Sequence, residues 1–547
     1  MISSRYITKI VAALMAFAVL LCTAAIGNAD RLMELSGGAK VVMEYEKKLF
    51  DVSQVMEIDI QMEEKDWEDM LKNAIAEEYR RCDVIINGEK ICEVGIRPKG
   101  NTSLTAIASD PNTDRYSFKL EFDQYVDGQT CFGLDKLVLN NHYADATYLK
   151  EALVYDMYQY LGADASLYNY AKVSVNGEYW GVYLALEAVE ESFLLRNYGA
   201  QNGKLYKPES MGMNGEKGNM PDLPQKDKVP DFPSGDKMPD FPGGDGMPEF
   251  PAGGEMPQKP EENGGNDSKS EEAMTSQTPM EPERKKGNRP GGQGFFGGKG
   301  ADLNYTDEEL DSYSVIWDGS ITDTGKKDHR KVVTALKNIS KGNDLESYLD
   351  LDNLIKYMAV HTFVVNLDSL SGNMAHNYYL YEADGKLNLL PWDYNLAFGG
   401  MSRGRDQNSA SETINFPIDT PFSGTEFFDA LLENEEYLNA YHDCLMRLVK
   451  EYAQGGVFKK SYNRMRSQID ELVKTDPTAF YSYEEYEKGA DMLYEVILLR
   501  TKSIQGQLDG SVPSTSEEQK ENPSALIDAE HIDLKVMGEM SVGKDKR

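Results

Sequence analysis

From Glu209 to Gly300 the chain carries too little apolar surface to build a core, and this stretch divides the rest of the sequence into two blocks. Met220–Pro224, Val229–Pro233, Met238–Pro242 and Met247–Pro251 recur every nine residues, and Met256-Pro257 begins a further copy. Proline removes backbone donors, glycine raises the entropy lost on ordering, and the two apolar side chains of each unit, Met or Val and then Leu or Phe, do not offset that cost. The expectation is an extended, largely disordered insertion at 209–300. A fold must therefore be assembled from the residues on either side of it.

The first 29 residues read as a secretory signal peptide. Arg5 and Lys9 make a basic start, Ile10–Leu21 is an apolar run, and Gly27-Asn28-Ala29 or Thr23-Ala24-Ala25 supplies small residues for cleavage. The run is short for a membrane span, and Leu21 before Cys22 is too large for a lipoprotein signal. No later segment is apolar enough to span a bilayer. The expected location is secreted or on the cell surface. Lys+Arg 57 against Asp+Glu 91 leave a formal net charge of −34. Nucleic acid and anionic lipid need a basic footprint, so neither is an expected partner. A basic protein and divalent cations suit this charge better. Beyond the signal the cysteines are Cys82, Cys92, Cys131 and Cys444, with no zinc spacing. Cys82 and Cys92 flank the hairpin turn Asn87-Gly88 one place out of register for a cross-strand disulfide.

In the first block, 49–208, strands are predicted over Val55–Met62, on both sides of Asn87-Gly88 within Arg81–Lys99, and over Ser117–Phe122 and Lys136–Asn140. Leu149–Leu161 is an amphipathic helix, Val173–Val175 and Trp180–Leu186 flank Asn176-Gly177, and Glu190–Tyr198 is helical. The second block, 301–510, is mostly helical: Glu308–Ser314, Lys327–Lys337, Asp344–Leu349, Asp352–Val365, Thr425–Glu433, Glu436–Tyr452, Lys459–Val473 and Tyr483–Leu508. Residues 511–547 read as a polar tail. A strand-rich block followed by a helical one is an α+β arrangement, laid out as a bilobed kinase-like fold would be.

Chemistry concentrates in Asn366–Gly400. Asp368, Asn373, Asn377 and Asp393 stand around a short strand, Tyr378–Tyr381, whose hairpin partner comes after Asp384-Gly385. Hard oxygen ligands without a His or Cys cluster favour Mg²⁺, Mn²⁺ or Ca²⁺ over zinc. An Asp, an amide and a second Asp in this order suit phosphoryl transfer, where one carboxylate orients the attacking hydroxyl and the other holds metal against the nucleotide phosphates. No Ser-His-Asp or Cys-His set competes for a hydrolase reading. His376 has no carboxylate or cysteine at ligand spacing and reads as a packing or hydrogen-bonding residue. Trp392 and the neighbouring tyrosines read as core.

Six motifs in order resemble the CotH family, the spore-coat protein H kinases: Gly95–Ser103, Ser117–Phe122, Asn176–Leu184, Gly203–Pro208, His376–Tyr381 and Pro391–Gly399. The resemblance implies a bilobed atypical protein-kinase fold, with a strand-rich N-terminal lobe and a mostly helical C-terminal lobe. It also implies an enzyme that uses ATP and a divalent metal to phosphorylate Ser/Thr of spore-coat or cell-surface proteins, of which basic Ser-rich ones suit the acidic chain. On this reading Arg97, Lys99, Gly100, Asn101, Thr102 and Ser103 form a phosphate-covering loop. Lys119 projects from the face of its strand opposite Phe118 and Leu120 and pairs with nucleotide phosphates, held by Glu151. Tyr183–Glu187 is the interlobe segment facing adenine, and Lys207 is a further phosphate-side cation. Asp368 is the catalytic base and Asp393 a metal ligand, completed by Asn373 on spacing or Asn377 on its place in the motif. The competing reading, motivated by an ATP-dependent reaction on an exported chain, is a surface binding or adhesion protein that keeps the scaffold without catalysis.

Overall fold

The computed structural model of the chain describes Met15 and residues 41–199, 203–209, 300–372, 375–401, 408–422 and 425–540. The signal segment apart from Met15, the nine-residue repeat and Asn373 lie outside the described residues.

Seven strands make up the first block: β1 (Met56–Gln61), β2 (Arg80–Ile86), β3 (Glu89–Lys99), β4 (Ser117–Glu121), β5 (Lys136–Asn140), β6 (Tyr168–Val175) and β7 (Glu178–Glu187). The turns at Asn87-Gly88 and Asn176-Gly177 put both residues at left-handed φ, between 49° and 86°, which matches the right-handed twist of the strands they join. Three helices interrupt the strands: α1 (Glu64–Lys72), α2 (Thr102–Ala108) and α3 (Lys150–Leu161). In the second block the principal helices are α4 (Lys326–Ile339), α5 (Leu351–Val364), α6 (Val457–Lys474) and α7 (Tyr483–Asp509). Among the described residues no helix is long and apolar enough to cross a membrane.

The bilobed kinase-like fold is not what forms. The strands close into a barrel in the order β1-β2-β3-β4-β5-β7-β6, because β6 returns parallel to β1, with Met56 opposite Ala171 and Ile60 opposite Val175. Both edges of what would be an open lobe are thereby paired, which removes the unpaired backbone groups an edge strand exposes. Alternation along β7 shows why the barrel is not a separate lobe. Tyr183 and Ala185 join Ile58, Ile60, Val84, Ile96, Phe118, Leu120, Leu137 and Leu139 inside the barrel. Val182, Leu184 and Leu186 face the other way, into a core shared with α3, α5, α6 and α7. One sheet face thus fills the barrel and the other seats the helices.

A second, three-stranded sheet carries the chemistry-bearing segments. β8 (Lys204–Tyr206) pairs antiparallel with β9 (Tyr378–Ala383), which pairs with β10 (Lys386–Pro391). Residues 512–540 are not a free polar tail. Met537 accepts a hydrogen bond from the Ala146 amide at 3.1 Å, and Met540 one from the Tyr143 hydroxyl at 2.9 Å. Leu534 and Met537 are buried. Among the described residues Cys82, Cys92, Cys131 and Cys444 are free, and Cys82 stands opposite Val94 rather than Cys92.

Candidate active site

At the open end of the β9–β10 hairpin Tyr378 pairs with Pro391, so the residues just before β9 and just after β10 meet. Asp368 is held there on both carboxylate oxygens: His376 Nε2 lies 2.6 Å from Oδ1, and Asn377 Nδ2 donates to Oδ2 at 3.1 Å. Asn377 also donates to the Asp368 carbonyl at 2.8 Å, and the Asn366 side chain links to the Asp393 carbonyl at 3.3 Å. Beneath these, His361 on α5 ties the two segments together. Its Nδ1 meets the Tyr394 hydroxyl at 3.1 Å, and its Nε2 meets Ser371 and Ser369 at 2.8 and 2.9 Å. Ala375, Asn377 and Asp393 have φ of 50°, 57° and 58°. Asn and Asp tolerate that region better than other residues, and such outliers gather at functional sites.

The barrel contributes from the outer ends of β3 and β5. Lys99 Nζ donates to Asn140 Oδ1 at 3.0 Å, and Asn140 Nδ2 donates to Glu151 Oε2 at 2.8 Å. Lys99 also lies 5.5 Å from the centre of the Trp392 ring. The other Glu151 oxygen is buried and has no hydrogen-bond partner among the described residues, and neither does the Tyr155 hydroxyl one turn along α3. From the β8 side Lys207 pairs with Glu209 at 2.9 Å and sits over the Tyr379 and Trp392 rings.

These groups shift one another's protonation. Burial raises the Asp393 carboxyl; Lys99, Lys207 and His376 oppose the shift, and Asp368 adds to it. Burial, reinforced by Asp393, pushes Glu151 up to about 7. Burial also lowers Lys99 despite Asp393 and Glu151. For Lys207 the burial penalty is outweighed by Tyr379, Glu209 and Asp393, and its pKa is raised. The site therefore sets the buried Glu151 and half-buried Asp393 carboxyls against the half-buried ammonium groups of Lys99 and Lys207.

Several expected site residues stand differently from the sequence expectation. Lys119 and Glu151 are not partners. Lys119 pairs with Glu190, which also takes Lys136 at 2.5 Å, while the position of Glu151 is set by Asn140 and Lys99. Glu187 is fully buried, accepts from the Tyr45 hydroxyl at 2.6 Å and pairs with Arg196 at 2.6 Å. It pins the end of β7 and offers no carboxylate to a nucleotide. Arg97–Ser103 is not a loop. Arg97 and Lys99 end β3, the chain turns at Gly100 with φ 138°, and Thr102 and Ser103 open α2 after Asn101. Arg97 is engaged by Glu77 at 2.9 Å, so Lys99 is the member of this run whose charge acts on the Asp393 carboxyl. His376, read from sequence as a packing or hydrogen-bonding residue, does hydrogen-bond, and through Asp368 Oδ1 it orients that carboxylate. Its only sequence signal is its place eight residues after Asp368, just ahead of Asn377. Nothing local in the sequence marks Asn140, Glu190 or Glu209 as members of the cluster.

A divalent ion suits the oxygen donors present. Mg²⁺ commonly binds through one or two carboxylates, with phosphates and water completing its shell. Asp393, desolvated and facing two ammonium groups, together with the unpartnered Glu151 oxygen, provides such a pair. No group of three or more His, Cys, Asp or Glu forms a ready-made cation cage among the described residues. No curated protein matches the chain. The family model described as CotH kinase protein matches residues 96–237 and 282–504, and the gap between the two stretches lies inside the repeat insertion. That match takes in well over half the sequence and every residue of the cluster from Lys99 to Asp393, so the chain belongs to the CotH kinase protein family.

Proposed function

We propose that the protein is an exported, metal-dependent protein kinase that transfers the γ-phosphoryl group of ATP to Ser/Thr hydroxyls of a spore-coat or cell-surface protein. The observation that carries this reading is the convergence on one end of the β9–β10 hairpin of Asp368, gripped on both oxygens, with Asp393, Lys99 and Lys207. Phosphoryl transfer asks mainly for positioning and charge stabilisation, and each group has a part in that. Asp368, fixed by His376 and Asn377, orients the acceptor hydroxyl and takes its proton as the oxygen bonds to the γ-phosphorus and ADP leaves. Lys99 and Lys207 face the phosphate oxygens. A bound Mg²⁺ would neutralise charge on the transferring group, with Asp393 and Glu151 as the residues to hold it.

The test uses full-length protein, labelled ATP, Mg²⁺ or Mn²⁺, and a basic Ser-rich protein as acceptor. Asp368→Ala is expected to lower kcat by about 10²–10⁴-fold while thermal stabilisation by ATP with Mg²⁺ persists. Asp393→Ala is expected to lose both transfer and the metal-dependent part of that stabilisation. If wild-type protein labels neither itself nor any acceptor with either metal, the reading falls.

A further inference from the structure

On a chain of net charge −34, α4 is conspicuously basic. Lys326, Lys327, Arg330, Lys331 and Lys337 stand against Asp328 alone. Lys327, Arg330, Lys331 and Thr334 follow the i, i+3, i+4, i+7 spacing of one helix face. Together with Tyr348 and Gly385 at the β9–β10 turn they line a cavity of about 230 Å³ with no carboxylate in its wall. That volume is below the ~300 Å³ at which pockets begin to hold drug-sized ligands, so the cavity suits one compact group. Lys331 is anchored by the buried Glu382 at 3.3 Å. Lys327 and Arg330 are exposed and make no ion pair or hydrogen bond through their side chains among the described residues. A guanidinium and two ammonium groups around one small cavity match the charged donors that a phosphate monoester recruits, while the Thr334 hydroxyl is committed to the Arg330 carbonyl at 2.7 Å.

The place of this cavity ties it to the site. Gly385 is at the closed end of the hairpin, whereas Asp368 and Asp393 are at its open end. Each strand has six residues, so the two ends are about 20 Å apart at the usual rise per residue. An extended peptide covers about 20 Å in roughly six residues. We infer that the α4 groove binds a phosphoseryl or phosphothreonyl group already present on the protein substrate, and so presents an acceptor hydroxyl about six residues away to Asp368. This rests on the kinase reading and adds a substrate class to it: segments with several Ser/Thr, modified in sequence, each product phosphate becoming the anchor for the next transfer.

The experiment uses the full chain and fluorescent 15-residue basic peptides carrying one phosphoserine, or Ser or Glu in its place. Anisotropy is expected to show the phosphopeptide binding at least tenfold more tightly than the Ser peptide, with inorganic phosphate competing. Lys327→Ala/Arg330→Ala should abolish that difference while leaving transfer to unphosphorylated peptide unchanged. Equal binding of the Glu and phosphoserine peptides, or a phosphate preference that survives the double substitution, overturns the inference. This arm needs no transfer activity, so its failure is separable from failure of the kinase reading. In the kinetic arm, an acceptor six residues from the phosphoserine should show a lower KM than one two residues away, in wild type only. Binding without that spacing effect overturns the link to Asp368.

Discussion

His361 illustrates how one buried side chain governs the site without touching a substrate. Burial lowers its pKa from 6.5 to about 3, so it is neutral in the fold and bridges Tyr394 to Ser369 and Ser371. The folded value lies below the unfolded one, so between these two values the unfolded chain binds a proton that the native state refuses. Stability that is fully present above pH 6.5 is therefore lost as pH falls toward 3. Between pH 7 and pH 5 this one group should remove roughly 2 kcal/mol. His361→Asn, compared with wild type by urea unfolding, is expected to cost about 2 kcal/mol less at pH 5 than at pH 7; equal costs would show that the histidine does not titrate this way. His376 acts at the same scale as a positioning residue for Asp368. His376→Ala should lower kcat by up to about 10²-fold with the ATP-dependent thermal shift unchanged. His376→Gln, which can still donate to the carboxylate, should recover part of the rate. Loss of the thermal shift in either variant would mean that His376 serves folding or nucleotide binding instead.

At the scale of elements, the hairpin and its preceding loop do the positioning. Asp384 and Gly385 have φ of 53° and 86°, so this turn was readable from the Asp-Gly pair itself, as were the turns at Asn87-Gly88 and Asn176-Gly177. The loop bearing Asp368 was less legible, because its shape comes from close backbone approach. A Cβ on Gly372 would fall 1.7 Å from the Leu367 carbonyl oxygen. Gly372→Ala should therefore displace Asp368, costing about 1–3 kcal/mol in unfolding experiments and most of the transfer activity. A variant of wild-type stability and rate would show that the loop yields without consequence. Helix positions were legible from their apolar period, as for α7, expected at Tyr483–Leu508 and found at Tyr483–Asp509. The hydrogen-bond type was not. Leu448–Ala453 continues the preceding helix as a π-helical segment, and Leu310–Tyr313 is a 3-10 turn. Neither departs from the apolar pattern of an ordinary helix.

For the whole molecule, Arg115 and Asp476 join the barrel to the helical half. Arg115 Nη1 reaches both Asp476 oxygens at 2.8 Å, and Arg115 Nε reaches the Asn141 carbonyl at 3.0 Å. Asp476 also accepts from the Val182 amide at 2.9 Å. Both side chains are fully buried. Removing one partner leaves an uncompensated charge, so Asp476→Ala should destabilise by about 3–5 kcal/mol, read as a fall in the urea midpoint. A midpoint within error of wild type would mean that the pair adds nothing.

The sequence by itself determined the strands, the helices, the Asn-Gly and Asp-Gly turns and the acidic balance. It also marked Asp368 and Asp393 as the carboxylates flanking one hairpin. These features are local: a period of two or 3.6 residues, or a φ that two adjacent residues can adopt. Only the tertiary structure decided that β6 returns to β1 and closes a barrel where a strand-rich lobe of a bilobed fold was expected. It alone paired Lys119 with Glu190, placed Lys99 by Asn140 and Glu151, and turned His376 toward Asp368. A lysine or a histidine carries no mark of its partner, because that choice depends on which faces the distant strands and helices bury together.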